Sequence, residues 1–106
     1  MDTTHALQVA RSAARRGGAI ARERLGEMGY IRWKGLRDPV PEAAMAIQDA
    51  ICAGLTEAFP GASILAKEGP DDAPMPVDAP ELWIVDPLSG GMNYAQGIPW
   101  FALSLA

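Results

Sequence analysis

The residues best placed to do chemistry lie in one stretch, Leu82-Trp83-Ile84-Val85-Asp86-Pro87-Leu88-Ser89-Gly90-Gly91-Met92-Asn93-Tyr94. Leu82 to Val85 predict a short buried strand, because the run is apolar and rich in β-branched and aromatic residues. Asp86 stands at the carboxyl end of that strand. Pro87 has no N–H to give to a ladder, so the chain is expected to leave the sheet there. Gly90-Gly91 permits a tight turn, and Asn93-Tyr94 can begin a helical turn. A carboxylate followed by a glycine turn with free N–H groups suits a metal cation or a phosphate. The plainer alternative is that Asp86 merely caps the turn.

The totals bound what such a site can serve. A chain of 106 residues is at most one domain. Its 49% hydrophobic and 21% charged residues predict a folded core rather than a disordered chain. A net charge of −4 argues against nucleic acid as the main partner. The single cysteine, Cys52, excludes an internal disulfide and a cysteine metal cluster, and its helical neighbours predict a buried, inert thiol. No apolar run approaches the roughly 18 residues a membrane span needs. Arginines interrupt the N-terminus where a secretory signal would be apolar, and Asp2, Glu23 and Glu27 disfavour a transit peptide. The expected location is the cytoplasm, with no membrane partner.

Two helices and several short strands must position the stretch. The first helix is expected from Thr3 or Thr4 to about Glu27, with Leu7, Ala10, Ala14, Gly17, Ala21 and Leu25 as its apolar stripe and its arginines in solvent. Gly17-Gly18 in mid-helix is costly, so a close approach of another element is expected there. Gly29 should stop this helix, and Tyr30 to Trp33 alternate as a strand. Residues 34–40 read as a turn-rich loop, and Pro41 fits the first position of a second helix. That helix turns Ile47, Ile51, Leu55 and Ala58 to one face and must end before Pro60. Gly61 to Ala66 read as a buried strand that delivers Lys67 and Glu68 to its end. Residues 69–80 form an acidic, proline-rich loop, and Trp100 to Ala106 a last buried strand. Trp33, Trp83 and Trp100 are expected in a core or an interface. Asn93 and Asp38 are expected to cap turns, and His5 to be exposed without a partner.

The central stretch resembles the Trp-Ile-Val-Asp-Pro-Leu-Asp-Gly-Thr-x-Asn-Phe signature of the inositol monophosphatase family of magnesium-dependent sugar phosphatases. The likeness continues through Gly97, Pro99 and Phe101 to Ala106. It also takes in Lys34-Gly-x-x-Asp38-x-Val40 and Ile64-Leu65-Ala66-Lys67-Glu68, the latter similar to the family's Ile-x-Gly-Glu-Glu strand end. The resemblance implies an α/β fold in which two helices pack on a small mixed sheet. It matches the N-terminal half of the inositol monophosphatase/fructose-bisphosphatase layered fold, a single partial domain over residues 1–106 that is incomplete at its C-terminus. The implied activity is magnesium-dependent hydrolysis of a phosphomonoester.

Carried over position by position, the family's metal site is degraded here. The resemblance implies that Asp86 and the Leu88 carbonyl are magnesium ligands and that backbone amides at Gly90 and Gly91 hold phosphate. Ser89 stands where the family has its second aspartate, Gly91 where it has the threonine that orients water, and Lys67 where it has a metal-holding glutamate. Glu68 matches the other member of that glutamate pair and can become a ligand only if a bulge shifts the strand by one residue. Pro41 and Ala44 replace a threonine and an aspartate of the preceding loop. Lys67, Asp86, Ser89 and Ala44 together carry no net formal charge, too little to hold two divalent ions. Lys67 can instead donate to Asp86 in place of the lost cation.

No catalytic residue is assigned on this reading. The expectation is a fragment or pseudoenzyme of the family that works by association, with a second copy or a second chain completing the fold and covering its apolar edge. The alternative is a magnesium phosphomonoesterase, completed by a second chain, that acts on an inositol or sugar phosphate through Asp86, Leu88 and Glu68. A truncated product with no selected function is the third.

Overall fold

The computed structural model describes residues 2–27, 29–36, 39–69 and 78–106. Asp38 and most of the acidic loop therefore lie outside the described residues. The element order is α1 (Thr3–Arg24), β1 (Ile31–Trp33), β2 (Pro39–Pro41), α2 (Glu42–Ala58), β3 (Ile64–Ala66), β4 (Trp83–Ser89), α3 (Gly91–Ala95) and β5 (Ala102–Leu105). Among the described residues the fold is α/β, as expected, but with a third short helix and two small sheets rather than one.

Asp2 caps α1 by accepting from the Thr4 N–H at 2.9 Å. The helix ends three residues earlier than its periodicity predicts, and Gly26, with φ of 86°, follows in place of Gly29 as the turning residue. Its buried stripe is Ala13, Gly17 and Ala21, one position off the predicted Ala14, and Leu7 is half exposed. The small residues let α2 come close. A Cβ on Gly17 would meet Ile51 Cδ1 at 3.0 Å, whereas one on Gly18 would meet nothing within 4 Å. On α2, Ile47, Ile51 and Leu55 are fully buried against this stripe, and the helix ends before Pro60 as expected.

The loop expected at 34–40 is in part a strand. Residues 39–41 pair antiparallel with β1, Arg32 opposite Val40. The Glu42 N–H donates to the Tyr30 carbonyl at 2.8 Å, which in an antiparallel ladder makes Arg32 and Val40 the next bonded pair. Pro39 and Pro41 then fall on the non-bonded positions, where a missing N–H costs nothing. Pro41 is accordingly the N-cap of α2 rather than its first residue.

In the second sheet β4 lies between β3, parallel, and β5, antiparallel. The predicted exit at Pro87 does not occur. Asp86 pairs with Ser104 and Ser89 with Ala102, so β4 holds one extra residue and bulges around Pro87. The bulge absorbs the proline and β4 runs on to Ser89. The strand expected from Gly61 shrinks to three half-buried residues, and β5 alternates exposed and half-buried positions instead of being buried throughout. Trp83 joins the core, but Trp33 and Trp100 are 57% and 81% exposed. His5 is exposed, yet its ring meets Phe59 edge-on at 5.3 Å. Among the described residues no helix is long and apolar enough to cross a membrane.

Candidate functional site

The site gathers where β3 ends beside the bulge of β4. Parallel pairing of Ala66 with Val85, extended by the Lys67 N–H donating to the Val85 carbonyl at 3.0 Å, sets Lys67 alongside Asp86. The Lys67 ammonium donates to the Leu88 carbonyl at 3.2 Å and lies 3.6 Å from Asp86 Oδ1. Leu88 lies within the bulged part of β4. Asp86 also accepts from the Leu88 N–H at 3.1 Å, so it both caps its own turn and pairs with lysine. Lys67 and Asp86 are 41% and 32% exposed, so water screens the pair and its importance is positional rather than energetic.

Glu68 takes no part in that contact. It is 4% exposed, and its Oε2 lies 3.5 Å from both Arg32 Nη2 and Lys34 Nζ without accepting a hydrogen bond from either. Its backbone is held by Gln48, whose side-chain amide donates to the Glu68 carbonyl and accepts from the Glu68 N–H at 2.9 Å. Lys34 also donates to the Lys67 carbonyl at 3.3 Å, which joins β1 to the end of β3. Sequence reasoning missed Gln48 and Arg32. The signal for Gln48 was present: it is the one polar residue among Ala44, Ile47, Ile51 and Leu55 on the buried face of α2.

The glycine turn is built as expected. Gly90, with φ of 91°, caps α3 from the left-handed region, and a Cβ there would meet the Trp100 carbonyl at 3.0 Å. Asn93 Nδ2 donates to that same carbonyl at 3.0 Å, and the buried Tyr94 hydroxyl donates to the Ala21 carbonyl at 2.8 Å, which fixes α3 to α1. Burial, and secondarily Glu27, raises the Tyr94 phenol above its ordinary pKa. Gly91 faces β2 closely. Ser89 is exposed at the end of β4, and Ala44 is buried in α2.

A magnesium ion needs several oxygen ligands with carboxylates among them. Among the described residues no three of His, Cys, Asp and Glu come together closely enough to hold a metal ion. Asp86 and the Leu88 carbonyl are already engaged by an ammonium, and Glu68 by two other cations. The described residues do not fit the metal.

The architecture is α/β, and it corresponds to the N-terminal part of a larger fold. The model of the inositol monophosphatase family matches residues 2–106, and the chain belongs to that family. It is 35% identical over 102 residues to the Nus factor SuhB of Pseudomonas aeruginosa, covering 94% of this chain and 38% of that protein. It is 37% identical over 102 residues to the inositol-1-monophosphatase of Mesorhizobium japonicum, with the same coverage. Among solved structures, the extragenic suppressor protein suhB of Bartonella henselae superposes with a TM-score of 0.86 at 31% identity, over 96% of this chain and 40% of that one. The chain thus spans about two-fifths of the length of these relatives.

Proposed function

We propose that this chain is a family member whose cation site is held by its own lysine, and that it acts by binding and association rather than by hydrolysis. One observation carries this reading. The Lys67 ammonium sits on the Asp86 carboxylate and the Leu88 carbonyl, the two oxygens that the family resemblance assigns to a magnesium ion. A tethered ammonium supplies one positive charge, enough to balance Asp86 but not enough to polarise a phosphoryl group or to generate hydroxide from water. The space about Gly91 supports the same reading. A Cβ there would lie 2.9 Å from the Pro39 carbonyl, so the family's threonine has no room beside β2.

Association draws support from apolar surface on and beside the second sheet: Ile84 is 48% and Trp100 81% exposed. The partner proposed is a second chain that supplies the rest of the family fold. The test is phosphate release from an inositol phosphate and from an aryl phosphate in the presence of Mg2+, with Asp86→Asn as control. The expected result is no turnover above that control; turnover that Asp86→Asn abolishes would overturn the proposal.

A further inference from the structure

We infer that the groove between α1 and β5 docks an extended, acidic segment of a partner chain, which adds to β5 as a further strand. This rests on the association reading above and describes the contact that the partner makes. The groove has a volume of about 480 Å3 and is lined by Arg15, Gly18, Ala19, Arg22, Phe101 and Leu103. The first ground is the backbone. Among the described residues β5 is the edge of its sheet. Ile84 and Ala106 exchange both backbone bonds, and Asp86 pairs with Ser104. The alternate residues, Leu103 and Leu105, therefore turn their N–H and carbonyl groups away from β4. A strand laid outside β5 can bond to those groups. Every second side chain of that strand then faces α1, which packs on the Leu103 side of β5.

The second ground is charge. Arg15 and Arg22 flank Gly18, two turns apart on one face of α1, and Arg11 continues that face. All three are exposed, and among the described residues none of them meets a carboxylate. The chain has no acid between Asp2 and Glu23. Arg11 and Arg15, four residues apart, repel one another, and Gly18 weakens the helix interior. Both features work against α1, and no contact among the described residues offsets them. A partner carrying carboxylates past Gly18 neutralises the arginines and uses the open space, since a Cβ on Gly18 would meet nothing within 4 Å. The same charge selects against a second copy. Joining two β5 edges about a two-fold would set Arg15 and Arg22 of both copies against each other across the joint.

The probe is a blocked heptapeptide, Thr-Glu-Val-Ala-Val-Glu-Thr, with a control in which lysine replaces glutamate. On a strand its glutamates share one face about 13 Å apart. The Cα atoms of Arg15 and Arg22 are about 10 Å apart along the helix, within side-chain reach, and the peptide's alanine falls over Gly18. Each peptide would be titrated into the isotope-labelled chain by NMR. The acidic peptide is expected to shift and protect the amides of Leu103 and Leu105, and the lysine peptide to leave them unchanged. Arg15→Ala and Arg22→Ala should each weaken binding about three-fold, the worth of one exposed ion pair. Arg15→Glu combined with Arg22→Glu should reverse the preference to the lysine peptide. Gly18→Leu should abolish binding by filling the groove while it improves the helix, so lost folding cannot explain that result; circular dichroism checks it. No shift at Leu103 and Leu105 with millimolar peptide, equal binding of both peptides, or binding untouched by Gly18→Leu would overturn the inference and leave the lysine-held site standing. A single-stranded oligonucleotide that shifts the same amides more strongly would overturn it in favour of nucleic acid. Protection of those amides that grows with protein concentration alone would overturn it in favour of a second copy. Hydrolysis in the phosphate-release test would instead remove the proposed function and leave the groove's binding unchanged.

Discussion

A methyl group built on Gly91 would sit 2.9 Å from the carbonyl oxygen of Pro39, so β2 runs directly across the start of α3. Backbone cannot move aside as a side chain can, so larger residues at position 91 must displace β2 or α3. Gly91→Thr is expected to cost about 1–3 kcal/mol. In a domain of this size that lowers the melting temperature by at least roughly 4 °C. An unchanged melting temperature would mean that β2 stands off farther than the structure places it.

The paired glycines of α1 should behave in opposite ways. Gly18→Ala meets open space and removes a helix-interior glycine, so a gain of about 0.5–1 kcal/mol is expected in urea unfolding. Gly17→Ala would press its methyl to 3.0 Å from Ile51, a residue with no exposed surface, and a loss of about 1 kcal/mol is expected instead. Equal effects at the two positions would contradict the close packing of α1 on α2.

Gln48→Leu strips both bonds from the Glu68 backbone and leaves a buried N–H and carbonyl unpaired. A loss of about 2–4 kcal/mol is expected. The amide of Glu68 should also exchange with deuterium much faster in the variant; unaltered protection would show that Gln48 does not hold the strand end.

Much of this was legible in the sequence, and the failures share a cause. Asp86, Lys67 and the glycine turn could be placed because strand-ending carboxylates and paired glycines have local signatures. The pairing of Lys67 with Asp86 followed from the family resemblance, which sets Lys67 where a metal-holding glutamate belongs, together with the charge balance of the four positions. Both proline errors came from treating a missing N–H as an end to pairing. Pro39 and Pro41 fall on positions that need no donor, and Pro87 falls in a bulge, facts set by a partner strand distant in sequence. Arg32 and Gln48 reach Glu68 from β1 and α2, and no local pattern records such a meeting.

Cys52 is only partly buried, not sequestered as its neighbours suggest, yet burial and then Asp49 raise its thiol above the ordinary value. The thiolate is the reactive form, so alkylation by iodoacetamide at neutral pH should run slower than for a small free thiol. The rate should climb as pH rises past the ordinary thiol range. A rate matching the free thiol at pH 7 would refute the shift.

The most direct test of a lysine-held cation site is a Mg2+ titration by calorimetry, on the natural chain and on the Lys67→Glu, Ser89→Asp double variant. The charge balance predicts no Mg2+ binding at millimolar concentration in the first and binding in the second. Mg2+ bound by the natural chain, with Lys67 displaced from Asp86 and Leu88, would contradict it.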